Sequence, residues 1–483
     1  MQRINIRKKE LLLYAVLAVI GVCYFFLLGE RGVALGNDSA GYINASYERE
    51  PFYPLVIMAC RAVFGENGLN VIIGLQGITA LCACLLLAAK LRRYFALKQW
   101  ELFFCYILLL LPFGLDTMWS PPRVNYSHFI LTECFSYAFF YFFLSAVICY
   151  LQREKNHLSY VCMLLLALVM TMNRNQMEMC FVLVGILSIW WNLIRPRKRL
   201  WKKCLLEIIG VAAAVALTVC LTLVYCYVQW GYFEKSSENT FTMMSNLLYA
   251  SDAEDAELFE NEDVRAVFSE LYAQVEENGW TYHDAGEGWY ENGEAVMDCH
   301  DRIKYSVIRP FFLQYVAERG MEPMSFEGDR VKKAISTEIK NVLFKEHVWD
   351  WVYNACCMMP KGFVLSVIPI IPGGAYPYAA VGAVVVWGLF LAMGCRLLFT
   401  KKYREKESGL IAFAILIVSF MAMNVVGLCL VIFIQARYLN YTQGIFWITC
   451  YLMLRALYHG RRQQYEKKKG AKEINGKNQC GDM

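Results

Sequence analysis

The sequence predicts an all-α polytopic membrane protein: a bundle of about ten transmembrane helices with one extracytoplasmic domain inserted between spans seven and eight. Three observations predict it. The 483 residues are 58% hydrophobic and only 18% charged, whereas a water-soluble globule is nearer half apolar and about a quarter charged. Apolar runs long enough to cross roughly 30 Å of hydrocarbon recur along the chain. Basic residues gather between alternate runs, as the positive-inside rule requires of a multi-pass protein.

The runs lie near 11–29, 68–90, 101–115, 129–151, 157–173, 176–194, 204–229, 375–399, 408–434 and 443–458. The first follows Arg3, Arg7, Lys8 and Lys9 with 19 apolar or small residues. That exceeds the apolar core of a cleaved signal peptide, so it reads as a retained span. The N-terminus, "KLRRYFALK" at 90–98, "QREKNH" at 152–157, "RPRKRLWKK" at 195–203, "KKYREK" at 401–406 and "RRQQYEKKK" at 461–469 all fall on one side. That side is the cytoplasm, which places both termini there in a cell-membrane protein. "GFVLSVIPIIPGG" at 362–374 is apolar but short. Counting it as a span would export the clusters at 401 and 461, so it is expected to be interfacial or re-entrant.

The chain therefore divides into a transmembrane core, 1–229, with a first external loop at 30–67; an acidic external domain and interfacial segment, 230–374; and C-terminal spans with a basic tail, 375–483. Between Gly231 and Glu346 there are 24 acidic and 11 basic residues, against 18 acidic and 36 basic elsewhere. Helical periodicity in "DVRAVFSELYAQV" (263–275) and "RIKYSVIRPFFLQYVAERG" (302–320) makes this segment a folded domain or structured lid. Its acidity suits a neutral or cationic acceptor more than an acidic glycan. No glycine loop of a nucleotide-binding kind occurs in it, and no nucleic-acid partner is expected.

Most of the 19 cysteines lie inside spans, where small apolar packing accounts for them. Cys299, Cys356 and Cys357 stand outside without metal-ligand spacing. The six histidines form no HxxH or HExxH set. Sequons at Asn44, Asn125 and Asn440 are assigned nothing.

Ionisable residues collect instead at the outer ends of the spans: Asp38, Arg49 and Glu50; Asp116, Arg123 and His128; Glu133; Arg174 in "NRNQME"; Lys361; and Arg437 in "QARYLNYTQ". Each would cost on the order of 2.5–3.5 kcal/mol at a helix centre and less near the interface, so each needs a partner or a task. External arginines also run against topology alone.

"GNDSAGYINASYEREPFYP" at 36–54, with Asp38, Tyr42, Arg49, Pro51, Tyr53 and Pro54, resembles the start of a C-type (GT-C) glycosyltransferase. More narrowly, it is similar to the bacterial relatives of protein O-mannosyltransferases and aminoarabinose lipid A transferases. "LTE" with Glu133 and "ARYLNY" with Arg437 and Tyr438 are the second and third matches. The resemblance implies a GT-C-like bundle, a polyprenyl-phosphate sugar as donor, an extracytoplasmic acceptor (glycan, lipid or protein) and inversion at the anomeric carbon. It casts Asp38 and Glu133 as catalytic, Arg437, Arg174, Arg123 and Tyr438 as donor-phosphate ligands, and Tyr42, Arg49 and Tyr53 as substrate contacts. No cofactor is assigned. A divalent metal is the one candidate, and Asn37-Asp38-Ser39 departs from the Asp-Glu or Glu-rich first loop of many relatives.

The chemistry explains the placement. The donor's tail stays among membrane lipid, so its reactive carbon sits at the water boundary. Asp38 is expected to act as base, its pKa raised by partial burial; a guanidinium would hold the departing phosphate. Plainer roles stand beside these. Asp38 fits a helix N-cap, Glu133 a pair with Arg123, Arg437 an interfacial ion pair, and Tyr42, Tyr53 and Tyr438 an aromatic belt. Two other functions compete: an O-antigen-type polymerase or ligase leaning on external arginines without Asp38, and a lipid-linked sugar transporter or flippase, which would keep its charges near mid-membrane.

Overall fold

The computed structural model describes residues 2–28, 32–46, 48–115, 117, 123–152, 157–194, 200–286, 288–369 and 376–459. Helices make up its regular structure, and the one β feature among the described residues is an isolated parallel bridge between Ala34 and Phe129. Helix α1 (Gln2–Val22) continues as a π-helical turn to Leu27. The first loop holds α2 (Ser39–Ile43), then α3 (Phe52–Phe64), which folds back on α4 (Gly68–Phe95). Next come α5 (Gln99–Leu110), α6 (Glu133–Gln152), α7 (His157–Asn173), α8 (Met179–Ile194) and α9 (Leu200–Trp230). The insert is α10 (Glu238–Ala250), α11 (Glu262–Glu277), α12 (Trp289–Arg302), α13 (Arg309–Glu318), α14 (Phe326–Glu346) and α15 (Val348–Leu365). The chain returns through α16 (Tyr376–Phe399), α17 (Lys401–Lys406), α18 (Ser408–Val431), the single turn α19 (Ala436–Leu439) and α20 (443–459).

Among the described residues, six helical stretches are long and apolar enough to cross a membrane: Lys9–Leu27, Phe52–Phe95, Glu133–Gln152, Trp201–Trp230, Tyr376–Phe399 and Ser408–Val431. Gln99–Phe113, His157–Asn173 and Asn175–Trp190 are shorter apolar helices. Burial sorts them. Of the apolar stretch of α6, 78% is buried, against 17% in α1, α9 and α16, so α6 is the central post and those three form the lipid-facing rim. Phe135, Tyr137, Ala138, Phe140, Tyr141, Phe143 and Tyr150 are buried and together ring α6 on every side, the pattern of a helix surrounded by others. Phe140 packs at 4.4 Å from the ring of Phe420 on α18 and Tyr137 at 4.7 Å from Tyr441.

Helix α3 corrects the reading of 30–67 as one loop. Its 13 residues span about 20 Å at 1.5 Å per residue, too little to cross alone, and its apolar run merged into the loop signal. Tyr53, Ile57 and Cys60 form its buried stripe against α4. Gly65, with φ +56°, makes the turn, and a Cβ at Gly68 would lie 2.8 Å from the Arg61 backbone, so only glycine permits that close approach.

The insert has a core of its own, including Phe241, Leu247, Phe268, Leu271, Phe312, Ile339 and Leu343. That core takes in Val425, Leu428 and Cys429 of α18 with Ile434 and Leu439 beyond it, so the insert sits on the end of α18. Trp351 Nε1 donates to Leu430 O at 2.9 Å. The segment expected to be interfacial begins as the end of α15, wedged among α16, α18 and α20: Gly362 faces Val425 and Ile434, and Phe363 O and Leu365 O accept from Trp387 and Gln443. Its part at 370–374 lies outside the described residues.

Candidate active site

Four separate stretches meet at the end of the bundle that carries the insert. The first two are joined by backbone: Ala34 N donates to His128 O at 2.9 Å and Ile130 N to Ala34 O at 3.0 Å. Ser39 Oγ donates to Ile130 O at 2.9 Å. This pairing sets Asp38 beside Glu133, which opens α6. Asn125 reaches Tyr24 O, and the His128 ring bridges the carbonyls of Phe25 and Gly32, so both are structural ties between α1 and the approach to α6.

Asp38 occupies the N-cap position of α2, but its side chain caps nothing. Instead its Oδ1 accepts from Arg49 Nη2 at 2.9 Å, and its Oδ2 lies 3.8 Å from Arg437 Nη1. Glu133, only 3% exposed, has its Oε1 2.9 Å from Arg174 Nη1 and 3.8 Å from Arg437 Nη1. Arg437 thus spans both carboxylates. The ring of Tyr438 lies 4.6 Å from the Arg174 guanidinium and 4.8 Å from that of Arg437, and its hydroxyl accepts from Arg437 Nη2 at 2.8 Å. Cation–π contact and hydrogen bonding together fix the spacing of the two cations.

The supports are polar and buried. Tyr137 Oη donates to Arg437 O at 2.6 Å. Gln176 and Asn424 both donate to Tyr438 O, at 3.0 and 2.8 Å, and Gln435 accepts from Arg437 Nε at 2.8 Å. Asn173 ties the end of α7 to α6 through Thr132 O and Ser136 Oγ. On the other side the Arg49 guanidinium lies 4.9 Å from the Tyr42 ring.

Two carboxylates facing three guanidiniums leave one positive charge in excess. Burial pushes the Asp38 carboxyl up, but Arg49 and Arg437 outweigh it and hold the group below its ordinary value. The expectation that burial would raise it is therefore corrected: the loop's own arginine, eleven residues on, keeps Asp38 ionised. Burial disfavours the charge on Arg174 and Arg437 too, yet their carboxylate and tyrosine neighbours raise both above the usual arginine value.

Two expectations change. Arg123 is exposed and pairs with no described residue, so the partner of Glu133 is Arg174. Tyr53 is 0% exposed and donates to Gln76 at 2.8 Å; beneath the Tyr42 ring at 5.3 Å, it is a packing residue and not a substrate contact. Asp116 lies outside the described residues. Nor do the donors fit a divalent metal: among the described residues no group of three His, Cys, Asp or Glu side chains is placed to hold one, and Asp38 and Glu133 are already engaged by arginines.

Sequence reasoning missed how the insert joins the site. Arg309 donates to both oxygens of Glu48, at 2.7 and 2.8 Å, and lies 3.6 Å from Glu238. Lys304 is 3.2 Å from Glu238 and Lys235 is 3.9 Å from Glu50. The signal was present: Glu48 and Glu50 flank Arg49 in a segment whose acidic residues otherwise had no partner.

No protein-family model and no curated protein matches the chain. Solved structures do. The oligosaccharyltransferase AglB from Archaeoglobus fulgidus, in complex with an inhibitory peptide and a dolichol-phosphate, is 12% identical with a TM-score of 0.43, covering 96% of this chain and 52% of that one. The same organism's oligosaccharyltransferase tethered with an acceptor peptide containing the NVT sequon is 13% identical with a TM-score of 0.42, covering 93% and 50%. ArnT from Cupriavidus metallidurans bound to undecaprenyl phosphate is 14% identical with a TM-score of 0.33, covering 93% and 77%. The chain spans about half the length of the archaeal oligosaccharyltransferase.

Proposed function

We propose that this chain is an integral membrane glycosyltransferase that moves a sugar from a polyprenyl-phosphate donor to an extracytoplasmic acceptor, with inversion at the anomeric carbon. The observation that carries the reading is the pair Arg174 and Arg437, 4.6 and 4.8 Å from the Tyr438 ring, which together with Arg49 outnumber the carboxylates of Asp38 and Glu133. A lipid-linked phosphate gains negative charge as its bond to the sugar breaks, and two fixed, permanently charged guanidiniums at the end of an apolar bundle stabilise that charge without reorganising. Asp38 and Glu133 keep them from repelling each other before substrate arrives. Tyr42 and Arg49 line the first-loop side of the site. In this reading the basic ends of the helices face the cytoplasm and the insert with its site lies outside.

The test uses purified protein in nanodiscs and undecaprenyl phosphate as probe. Arg437→Ala and Arg174→Ala each remove a charged hydrogen-bond donor worth about 1.5–3 kcal/mol, so each is expected to weaken binding roughly 10- to 100-fold. Wild-type affinity in both variants would refute the phosphate role. In the native host, loss of the protein is expected to leave a polyprenyl-phosphate sugar unconsumed, read by mass spectrometry of extracted lipids; an unchanged lipid-linked sugar pool would refute the transfer.

A further inference from the structure

The insert runs one helical rod across the first loop. Helix α12, the π-helical turn Ile303–Ile308 and α13 follow without a break, each joined through a helical residue. Asp301, Tyr305 and Arg309 recur at intervals of four, which puts them along one side of that rod. One contact fixes which side: Arg309 grips Glu48 at 2.7 Å, next to the Arg49 that holds Asp38. Arg309 also lies 3.6 Å from Glu238, the carboxylate that Lys304 approaches at 3.2 Å while it donates to the Thr242 hydroxyl at 2.8 Å. The stripe therefore faces the charged cluster, and Asp301 lies within electrostatic reach of both Arg437 and Asp38. Tyr305 is in reach of Asp38, Arg49 and Asp301. A π-turn widens the helix locally and re-aims its side chains, a device concentrated at functional sites.

We propose that Asp301 is the carboxylate that takes the proton from the acceptor hydroxyl, while Asp38 serves as the fixed counter-ion of Arg49 and Arg437. This rests on the transferase reading above. A base must offer a free lone pair to the acceptor. Asp38 has one oxygen bonded to Arg49 and the other beside Arg437, whereas Asp301 makes no hydrogen bond or ion pair with a described residue. It is half-buried, and burial raises its carboxyl above the ordinary value despite the opposing pull of Lys304 and Arg437. The step balances: the acceptor O–H proton passes to Asp301, the oxygen bonds the anomeric carbon, and the carbon–oxygen bond to phosphate breaks with its electron pair leaving on the phosphate beside Arg174 and Arg437. The acceptor class follows from the walls: a neutral, hydroxyl-bearing group that a carboxylate can deprotonate and a half-exposed tyrosine, Tyr305 at 46%, can stack against.

The experiment compares Asp301→Asn and Asp38→Asn as full-length chains. Undecaprenyl phosphate in nanodiscs reads donor-site binding, and clearance of the accumulated polyprenyl-phosphate sugar in the host lacking the protein reads transfer. Asp301→Asn is expected to bind undecaprenyl phosphate within about twofold of wild type and to slow clearance at least roughly 100-fold, the usual worth of a positioned base. Asp38→Asn is expected to hold undecaprenyl phosphate at least as tightly as wild type, because the guanidiniums lose a competing anion, and to keep measurable clearance, because Asp301 still takes the proton. Wild-type clearance by Asp301→Asn, or loss of clearance by Asp38→Asn with affinity intact, would overturn the assignment and, in the second case, make Asp38 the base. Absence of any accumulated lipid-linked sugar in the deletion host would refute the transferase reading itself and this assignment with it.

Discussion

Glu133→Gln isolates the electrostatic core of the site. The substitution keeps shape and removes one charge at a position 3% exposed, 2.9 Å from Arg174 and 3.8 Å from Arg437. At an effective dielectric near 20, those distances correspond to roughly 6 and 4 kcal/mol of pairwise attraction. Desolvation offsets much of it, and removing one member of a buried pair typically costs about 3–5 kcal/mol. The amide still accepts a hydrogen bond, which favours the lower figure. At about 2 °C per kcal/mol for a large chain, thermal unfolding followed by tryptophan fluorescence in detergent should fall by roughly 6 °C. A second arm is more specific. Undecaprenyl phosphate brings an anion to the two guanidiniums that lost theirs, so it should raise the Tm of the variant more than that of wild type. A variant within about 1 °C of wild type would refute the buried-pair reasoning, and equal ligand shifts in the two proteins would refute the placement of the phosphate.

Arg309→Ala should free the insert from the first loop while leaving each folded, read as faster hydrogen exchange in 36–50 and 300–310; unchanged exchange would show that the clamp is dispensable. His347 is held between Asp255 at 2.8 Å and Asp350 at 3.1 Å, and the Asp255 hydrogen bond leads in raising it to about 9 against burial. Because the folded value lies above the unfolded one near 6.5, its stabilisation is fully present below about pH 6.5 and is lost as pH rises through about 9. The Tm of wild type should fall across that window, and His347→Gln should flatten the fall; parallel curves would refute the linkage. Gly444→Ala would drive a Cβ into the Leu108 carbonyl oxygen, a backbone clash expected to cost about 1–3 kcal/mol by overpacking, measured as a lower Tm; an unchanged Tm would refute the close packing of α20 on α5.

The charged end of the bundle was legible because intramembrane charge is costly, so Asp38, Glu133, Arg174 and Arg437 stood out against apolar runs and all four converge. Their pairing was not legible. Glu133 was matched to Arg123 by nearness along the chain, whereas the fold brings Arg174 from the far end of α7 through Asn173 and its bonds to α6. Helix α3 was hidden because its 13 residues follow a polar stretch and merge into a longer apolar arm. The protonation of Asp38 was misjudged because sequence gives burial without the competing cation: desolvation and Arg49 act in opposite directions, and only geometry at 2.9 Å decides which wins.

Arg437 ties that site to the architecture. It lies on the turn α19, between Ile434 and Leu439, and both of those residues are buried in the insert's own core. The insert also reaches Glu48 and Glu50 in the first loop through Arg309 and Lys235, on the opposite flank of the same cluster. One helical body therefore sets the position of the cation facing Glu133 and of the loop carrying Asp38. The bundle supplies the remaining pair, Glu133 and Arg174, from the rigid ends of α6 and α7. A shift of the insert relative to α18 would change the Arg437 distances to both carboxylates at once while leaving the Glu133 to Arg174 contact intact. The 3.8 Å separations of Arg437 from its two partners, longer than the 2.9 Å contacts around them, identify it as the guanidinium least committed to either carboxylate, and under the proposed transfer the one that would follow an incoming phosphate.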